Sequence, residues 1–177
     1  LSFTVEPGET VTLVGRTGAG KSTAFRLLLG LYEPQGGQVT VCGQPAGAIP
    51  DRVKRGLFGY VEQSPRLVDG TVADQIALFD PAIGRQQVRQ AAEQVGLHAA
   101  IEALEQGYDT PAREDLFSQG QLQLLSIARA IAADPPILLL DEMTANLDGQ
   151  TEAAVLAALE QAAAHRTVLS ISHRLYQ

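Results

Sequence analysis

The sequence predicts an α/β fold with a mixed or parallel central sheet, an antiparallel β part on the N-terminal side, and a helical subdomain inserted in the chain. Three observations predict it. A glycine-rich loop, Gly15 to Ser22, stands between a β-branched apolar run and a helical run. From Val72, strand-like runs vanish for about sixty residues and helical spacing takes over. A continuous apolar run, Ile137-Leu138-Leu139-Leu140, then marks a strand buried on both faces, as parallel sheets require.

The elements follow in order. Ser2 to Glu6 and Thr10 to Val14 alternate as strands do, and Pro7-Gly8 between them predicts a turn and hence a hairpin. Thr23 to Leu29 suits a helix, and Glu33 to Gly37 breaks it. Gln38 to Cys42 reads as a strand, Gly43 to Asp51 as a loop, and Leu57 to Val61 as a short strand delivering Glu62-Gln63 into a loop. Val72, Ile76 and Phe79 share one helical face, Val88, Ala92 and Val95 another, and Ile101 and Leu104 a third before Gly107. Asp134-Pro135-Pro136 closes the helical stretch at about Ala133. Thr151 to Ala164 is an Ala-rich helix, and Thr167 to Ile171 is the last strand.

Composition bounds the function. With 177 residues, 45% of them apolar, the chain can bury one ordinary core. A net charge of −7 with 13 Lys plus Arg, and no basic cluster, argues against a nucleic-acid partner. No apolar run approaches the roughly 20 residues that span a bilayer, and no signal peptide opens the chain. The single Cys42 is expected as a small buried strand residue and rules out an internal disulfide. The chain begins at Leu1 rather than Met and stops soon after its last strand, so it is expected to be a piece of something longer, cut at both ends.

The stretch Gly15-Arg16-Thr17-Gly18-Ala19-Gly20-Lys21-Ser22 fits the phosphate-binding pattern of Gly, four variable residues and Gly-Lys-Ser. Its glycines let the backbone wrap phosphate oxygens, Lys21 would place an ammonium by the β- and γ-phosphates, and Ser22, with Thr23 beside it, would open the helix there. The Ser22 hydroxyl would bind Mg²⁺. An ordinary strand-to-helix turn is the plain alternative, but the flanking strand and helix favour nucleotide binding on a P-loop NTPase core, and the loop alone names no reaction. Asp141-Glu142 stands at the end of the buried strand, where open parallel sheets hold ligands. Asp141 would share the Mg²⁺ with Ser22, and Glu142 would deprotonate the attacking water. Acidic residues capping a strand at the surface are the alternative reading, and the upstream Lys21-Ser22 weighs against it.

Leu116-Phe117-Ser118-Gln119-Gly120-Gln121 opens the run Leu122 to Ala130, just ahead of the apolar strand and Asp-Glu. Alone, Ser118 to Gln121 reads as a helix N-cap. In this order the motifs resemble the nucleotide-binding domain of ATP-binding cassette transporters. The resemblance covers nearly the whole chain and implies a single cassette domain over 1–177. Its catalytic core would be 1–71 and 134–177, with the helical subdomain at 72–133. It implies ATP and Mg²⁺ as cofactors, with Gln63 contacting Mg²⁺ or the attacking water and linking to a membrane partner. It also implies that Asp148, in Asn146-Leu147-Asp148, lies at a dimer interface, and that His173 holds the γ-phosphate.

The same resemblance implies a second nucleotide-binding domain, identical or diverged, arranged head to tail. Ser118, Gln119, Gly120 and Gln121 of one copy would then act on the ATP of the other. Gln119 stands where the family has its first signature glycine, Phe117 where it has Leu, and the adenine-stacking aromatic would precede Leu1. Leu67-Val68-Asp69-Gly70-Thr71-Val72 resembles exporters, and Pro111 to Asp115 resembles a shortened form of the exporter segment that touches the membrane domain. A transmembrane domain on the N-terminal side of the same polypeptide is therefore expected, with this domain at the cytoplasmic face. The rival readings are a soluble cassette ATPase and a regulatory half that binds ATP without turnover. The first wants a tandem cassette, an inserted coiled coil or a basic face, and the second wants Glu142 or His173 lost. The sequence has none of these.

Overall fold

Four short β segments lie side by side, and every pairing between them is parallel. The computed structural model describes residues 1–16, 18, 20–62, 65–141 and 147–172. Along them run β1 (Thr10–Val14), α1 (Lys21–Leu28), β2 (Thr40–Val41), β3 (Gln44–Pro45), α2 (Asp51–Leu57) and β4 (Phe58–Val61). There follow α3 (Val72–Ala77), α4 (Arg85–Gln94), α5 (His98–Glu102), α6 (Gln119–Ile131), β5 (Ile137–Asp141), α7 (Gly149–Ala163) and β6 (Thr167–Ser172). The central sheet has the order β1-β6-β5-β4. A separate antiparallel pair joins β2 to β3.

Register decides what the fold can do. Val14 lies opposite Ser172, Ile171 opposite both Leu13 and Asp141, and Leu140 opposite both Ser170 and Val61. The C-terminal ends of all four strands therefore line one edge, the edge at which open parallel sheets gather ligand-binding groups. Side chains alternate across the sheet. Leu138 and Val168 enter a large core with Val61, Val72, Ile76, Leu125, Ile127 and Val155, which packs α3, α4, α6 and α7 on one face. Leu139, Leu169 and Ile171 enter a smaller core with Phe25, Val41, Ile49 and Phe58, which packs α1 on the other. Leu138 and Leu139 are both fully buried, so β5 is covered on both faces, as its apolar run predicts.

The helical stretch is fastened to the sheet rather than hung from it. Helix α6 packs on β4 and α7 as well as on α3 and α4. Thr71 caps α3 in a reciprocal box with Asp74, and the fully buried Gln75 side chain bonds the backbone of Val68 through both its oxygen and its nitrogen. The segment leading into α3 is thereby pinned to the helix it precedes.

Four expectations need correction. The Pro7-Gly8 turn forms, with Glu9 N–H donating to Glu6 and Gly8 at φ 82, but Ser2 to Glu6 is not a strand. Alternation there meets no neighbouring strand among the described residues, and a strand without a partner has no ladder to join. Cys42 is exposed, because Cys42 and Gly43 occupy the two left-handed positions, φ 52 and 79, of the tight turn between β2 and β3. Gly43 to Asp51 is not all loop, since β3 and a 3₁₀ turn at Ala46–Ala48 occupy it and α2 opens at Asp51. Phe79 does not share the buried face of Val72 and Ile76: α3 ends at Ala77, Leu78 and Phe79 turn to left-handed φ, and the Phe79 ring is 64% exposed.

Candidate functional site

Strand β1 delivers Gly15 and Arg16 directly into the glycine loop. Gly18 and Gly20 take φ 85 and 86, and nothing lies within 4 Å of where a Cβ would stand on either. These left-handed positions favour glycine. Gly20 is the N-cap of α1, so no side chain caps the first turn, which also holds no acidic residue. Helices α3, α6 and α7, by contrast, are capped by Thr71, Ser118 and Asp148. The backbone N–H groups of Lys21, Ser22 and Thr23, at the positive end of α1, are the donors an anion would use. The Lys21 ammonium bonds the Gly15 carbonyl and lies 3.5 Å from the Ser172 carbonyl, tying the start of the loop to the end of β6. Thr17 and Ala19 lie outside the described residues.

Asp141 ends β5 on the same sheet face as α1. Ile137, Leu139 and Asp141 share that face by alternation, and Leu139 belongs to the core that holds Phe25. Ser22 and Phe25 lie three apart on α1, hence on one side of the helix. Phe25 is buried and meets the Tyr60 ring edge-on at 6.0 Å, and the Tyr60 hydroxyl donates to Asp141 Oδ2 at 3.3 Å. The side of α1 that carries Ser22 thus faces the strand ends where Asp141 sits. Burial above all, then the carboxylates of Asp141 and Glu62, push the Tyr60 hydroxyl up to about 12, so it remains a donor at neutral pH.

Among the described residues, no three His, Cys, Asp or Glu side chains converge as a metal cage. Mg²⁺ does not require one: it takes one or two protein oxygens and completes its octahedron with waters and substrate phosphates. One carboxylate and one hydroxyl beside an open anion loop fit that pattern. Gln63, Glu142 and His173 lie outside the described residues, as does Asn146. In sequence Glu142 and His173 follow directly on the ends of β5 and β6, Gln63 stands two residues after the end of β4, and Asn146 three residues before the start of α7.

The other predicted cluster belongs to the opposite face of the sheet, with α6 and α7. Ser118 is the N-cap of α6: its hydroxyl accepts from Gln121 N–H at 3.1 Å, and Gln121 Oε1 accepts from Ser118 N–H at 3.0 Å. Ser118 and Gln119 are exposed. A serine hydroxyl that accepts still has its proton to donate, so the cap leaves Ser118 able to meet an anion. Phe117, in place of Leu, is buried in the large core. A Cβ on Gly120 would stand 2.1 Å from Thr151 Cγ2, so glycine there allows α6 and α7 to touch at their first turns. Thr151 also donates to Asp148 Oδ2 at 2.6 Å. This bond first, with backbone N–H donors, holds the Asp148 carboxyl below its ordinary value. The structure therefore joins Gly120 to Asp148 through Thr151.

Sequence reading passed over Tyr60 and Thr151, and also the arginines that close α3. Arg129 donates to the carbonyls of Gln75 and Arg66 at 2.7 and 3.0 Å, and Arg55 to those of Ile76 and Ala77 at 3.4 and 3.3 Å. They satisfy the carbonyls that the end of a helix leaves open. The available signal was a polar aromatic in a buried strand and an arginine in the apolar run of α6.

Comparison with known proteins follows the same lines. A family described as ABC transporter matches residues 1–145. An ATP-dependent lipid A-core flippase of Saccharophagus degradans is 42% identical over 177 residues, covering 99% of this chain and 30% of the flippase. A probable multidrug resistance ABC transporter ATP-binding/permease protein, YheH of Bacillus subtilis, is 40% identical over 177 residues, with 99% and 26% covered. The solved structure of a bacterial Atm1-family ABC exporter with ATP bound superposes with a TM-score of 0.84 at 39% identity, covering 98% of this chain and 31% of that one. The chain thus spans less than a third of the length of these relatives.

Proposed function

Because the chain belongs to the ABC transporter family, we propose that it binds ATP with Mg²⁺ and hydrolyses it to drive export across a membrane. The observation that carries this reading is the shared edge. Four parallel strands end together there, with the glycine loop of α1 and Asp141 on one face.

In this reading the N–H groups of 15–23 and the Lys21 ammonium hold the phosphates, and Ser22, Asp141 and Gln63 hold Mg²⁺. The bound ion would supply neutralisation of the charge that develops on the phosphate oxygens. Glu142 takes the proton of the attacking water, and His173 hydrogen-bonds the terminal phosphoryl group. Lys21 exchanges its present carbonyl partners for phosphate oxygens when nucleotide enters. Asp141 ends a strand buried on both faces, so its backbone is in place before the ligand arrives, which lowers the cost of binding.

The location of Ser118 on the opposite face supports a head-to-tail pair, in which Ser118 and Gly120 of one copy meet the ATP on the loop of the other. Among the described residues no helix is long and apolar enough to cross a membrane. Two relatives are named for ATP-binding and permease functions together, which supports a transmembrane domain in the same polypeptide and a position for this domain at the cytoplasmic face.

The test is ATP turnover against protein concentration, with Glu142→Gln as the blank. A steeper than linear rise with a silent blank supports the paired site. Undiminished turnover in Glu142→Gln removes the general-base assignment, and tight ATP binding with no hydrolysis in the unsubstituted protein removes the ATPase reading.

A further inference from the structure

We propose that Tyr60 is a positioning residue for the divalent metal: its hydroxyl holds the Asp141 carboxylate by Oδ2 and so turns Oδ1 towards the Ser22 side of α1. The inference rests on the reading of Asp141 as a metal ligand and adds a residue that the glycine loop and the acidic pair do not contain.

Three features carry it. In register, Tyr60 lies opposite Leu139, and Asp141 is the diagonal neighbour two residues further along β5 on the same face. Their 3.3 Å hydrogen bond crosses from the β4 edge of the sheet to the interior strand beside it. The ring cannot swing freely, because it meets buried Phe25 at 86° and 6.0 Å, and Phe25 is one turn from Ser22 on α1. Helix α1 thus restrains the ring, and the ring's hydroxyl holds the carboxylate on the sheet face that α1 covers. A carboxylate at a strand end otherwise rotates about χ2 through a broad range. A hydrogen bond to one oxygen selects the orientation, which is how outer partners of metal-binding carboxylates act.

The test removes the hydroxyl and keeps the ring. In the intact protein, Tyr60→Phe preserves the edge-on contact with Phe25. Mn²⁺ serves as the probe, its binding followed by electron paramagnetic resonance with a non-hydrolysable ATP analogue present. The dissociation constant for Mn²⁺ is expected to rise about tenfold, the usual scale for loss of an outer-shell partner. The Mg²⁺ concentration for half-maximal turnover should rise with it, and affinity for the analogue in EDTA should stay within twofold. Asp141→Asn is measured alongside, singly and in combination.

If Asp141→Asn weakens Mn²⁺ and Tyr60→Phe does not, the proposal is overturned and the metal site stands. If Tyr60→Phe weakens Mn²⁺ as much in the Asp141→Asn background as alone, the hydroxyl does not act through that carboxylate, which also overturns it. Equal loss of analogue affinity with and without metal would make Tyr60 a packing residue only. If Asp141→Asn itself leaves Mn²⁺ binding unchanged, the underlying reading of Asp141 fails.

Discussion

Gly59→Ala tests how closely β4 and α6 approach, and through them the placement of Tyr60. A Cβ on Gly59 would stand 2.5 Å from the Ala130 carbonyl oxygen, 2.7 Å from Leu138 Cδ2 and 3.0 Å from Pro135 Cγ. The leucine tip can rotate away, but the Ala130 oxygen is helix backbone and α6 is packed on both sides. Relief requires β4 and α6 to part by about half an ångström, and overpacking of this kind costs about 2–3 kcal/mol. For a domain of this size each kcal/mol moves Tm by about 2–4 °C, so a fall of about 5–10 °C is expected. The chain has no Trp, so unfolding is followed by far-UV circular dichroism. Gly56→Ala is the matched control: it is an exposed position in α2 with nothing within 4 Å, and the better helix former should raise stability by about 0.5–1 kcal/mol. Because Tyr60 follows Gly59 directly, a displaced strand should also weaken metal-dependent nucleotide binding. A Gly59→Ala protein that melts within a degree of the unsubstituted one would refute the close packing and the reasoning built on it.

Arg129→Met should destabilise the protein by about 2–3 kcal/mol, because it strips the Gln75 and Arg66 carbonyls of a charged donor inside a packed junction; urea unfolding measures it. Asp148 has a depressed folded value, so its share of stability is present above about pH 4 and is lost as pH falls through that lower value. In acid titrations followed by circular dichroism, Asp148→Asn should be less stable at neutral pH and show a shallower loss in that window. Ser118→Ala should cost about 1 kcal/mol through the lost α6 cap, readable in Tm. If the paired site holds, mixing it with Lys21→Ala should restore turnover at the one composite site that keeps both residues.

The sheet and its helices were legible because their signals are local. The glycine loop needs a strand before it and a helix after it, and Thr10 to Leu29 supplies both in one window. Ile137 to Leu140 is apolar without interruption, and burial of both Leu138 and Leu139 is the direct consequence. The misreadings came where a local pattern needed a distant partner or a particular φ. Ser2 to Glu6 alternates but finds no strand to pair with among the described residues, and Cys42 looks like a strand residue until the turn to Gln44 takes it at φ 52. Phe79 carries the right spacing for a helix face, but α3 has already ended. Tyr60 was illegible for another reason: its bond to Asp141 spans 81 residues, and only the parallel register of β4 on β5 puts the two side chains on one face.

The two predicted phosphate-facing groups show how the fold distributes its chemistry. The first turn of α1 has no side-chain cap and no acidic residue, so no carboxylate of its own stands at its positive end. The first turn of α6 is capped by the Ser118 and Gln121 exchange, and the exposed Ser118 hydroxyl keeps its proton to offer. In the proposed pair, the N-terminus of α1 would hold the anion and that of α6 would complete the site of the other copy. With α1 on one face of the sheet and α6 on the other, the second cannot be simply folded over the first within one chain. A second copy, turned head to tail as proposed, would bring the two together. In that arrangement the Gly120, Thr151 and Asp148 contact would tie α6 to the start of α7, seven residues after Glu142 in the sequence. A change in contact at Ser118 would be felt first by Thr151 and Asp148, before any rearrangement of the core.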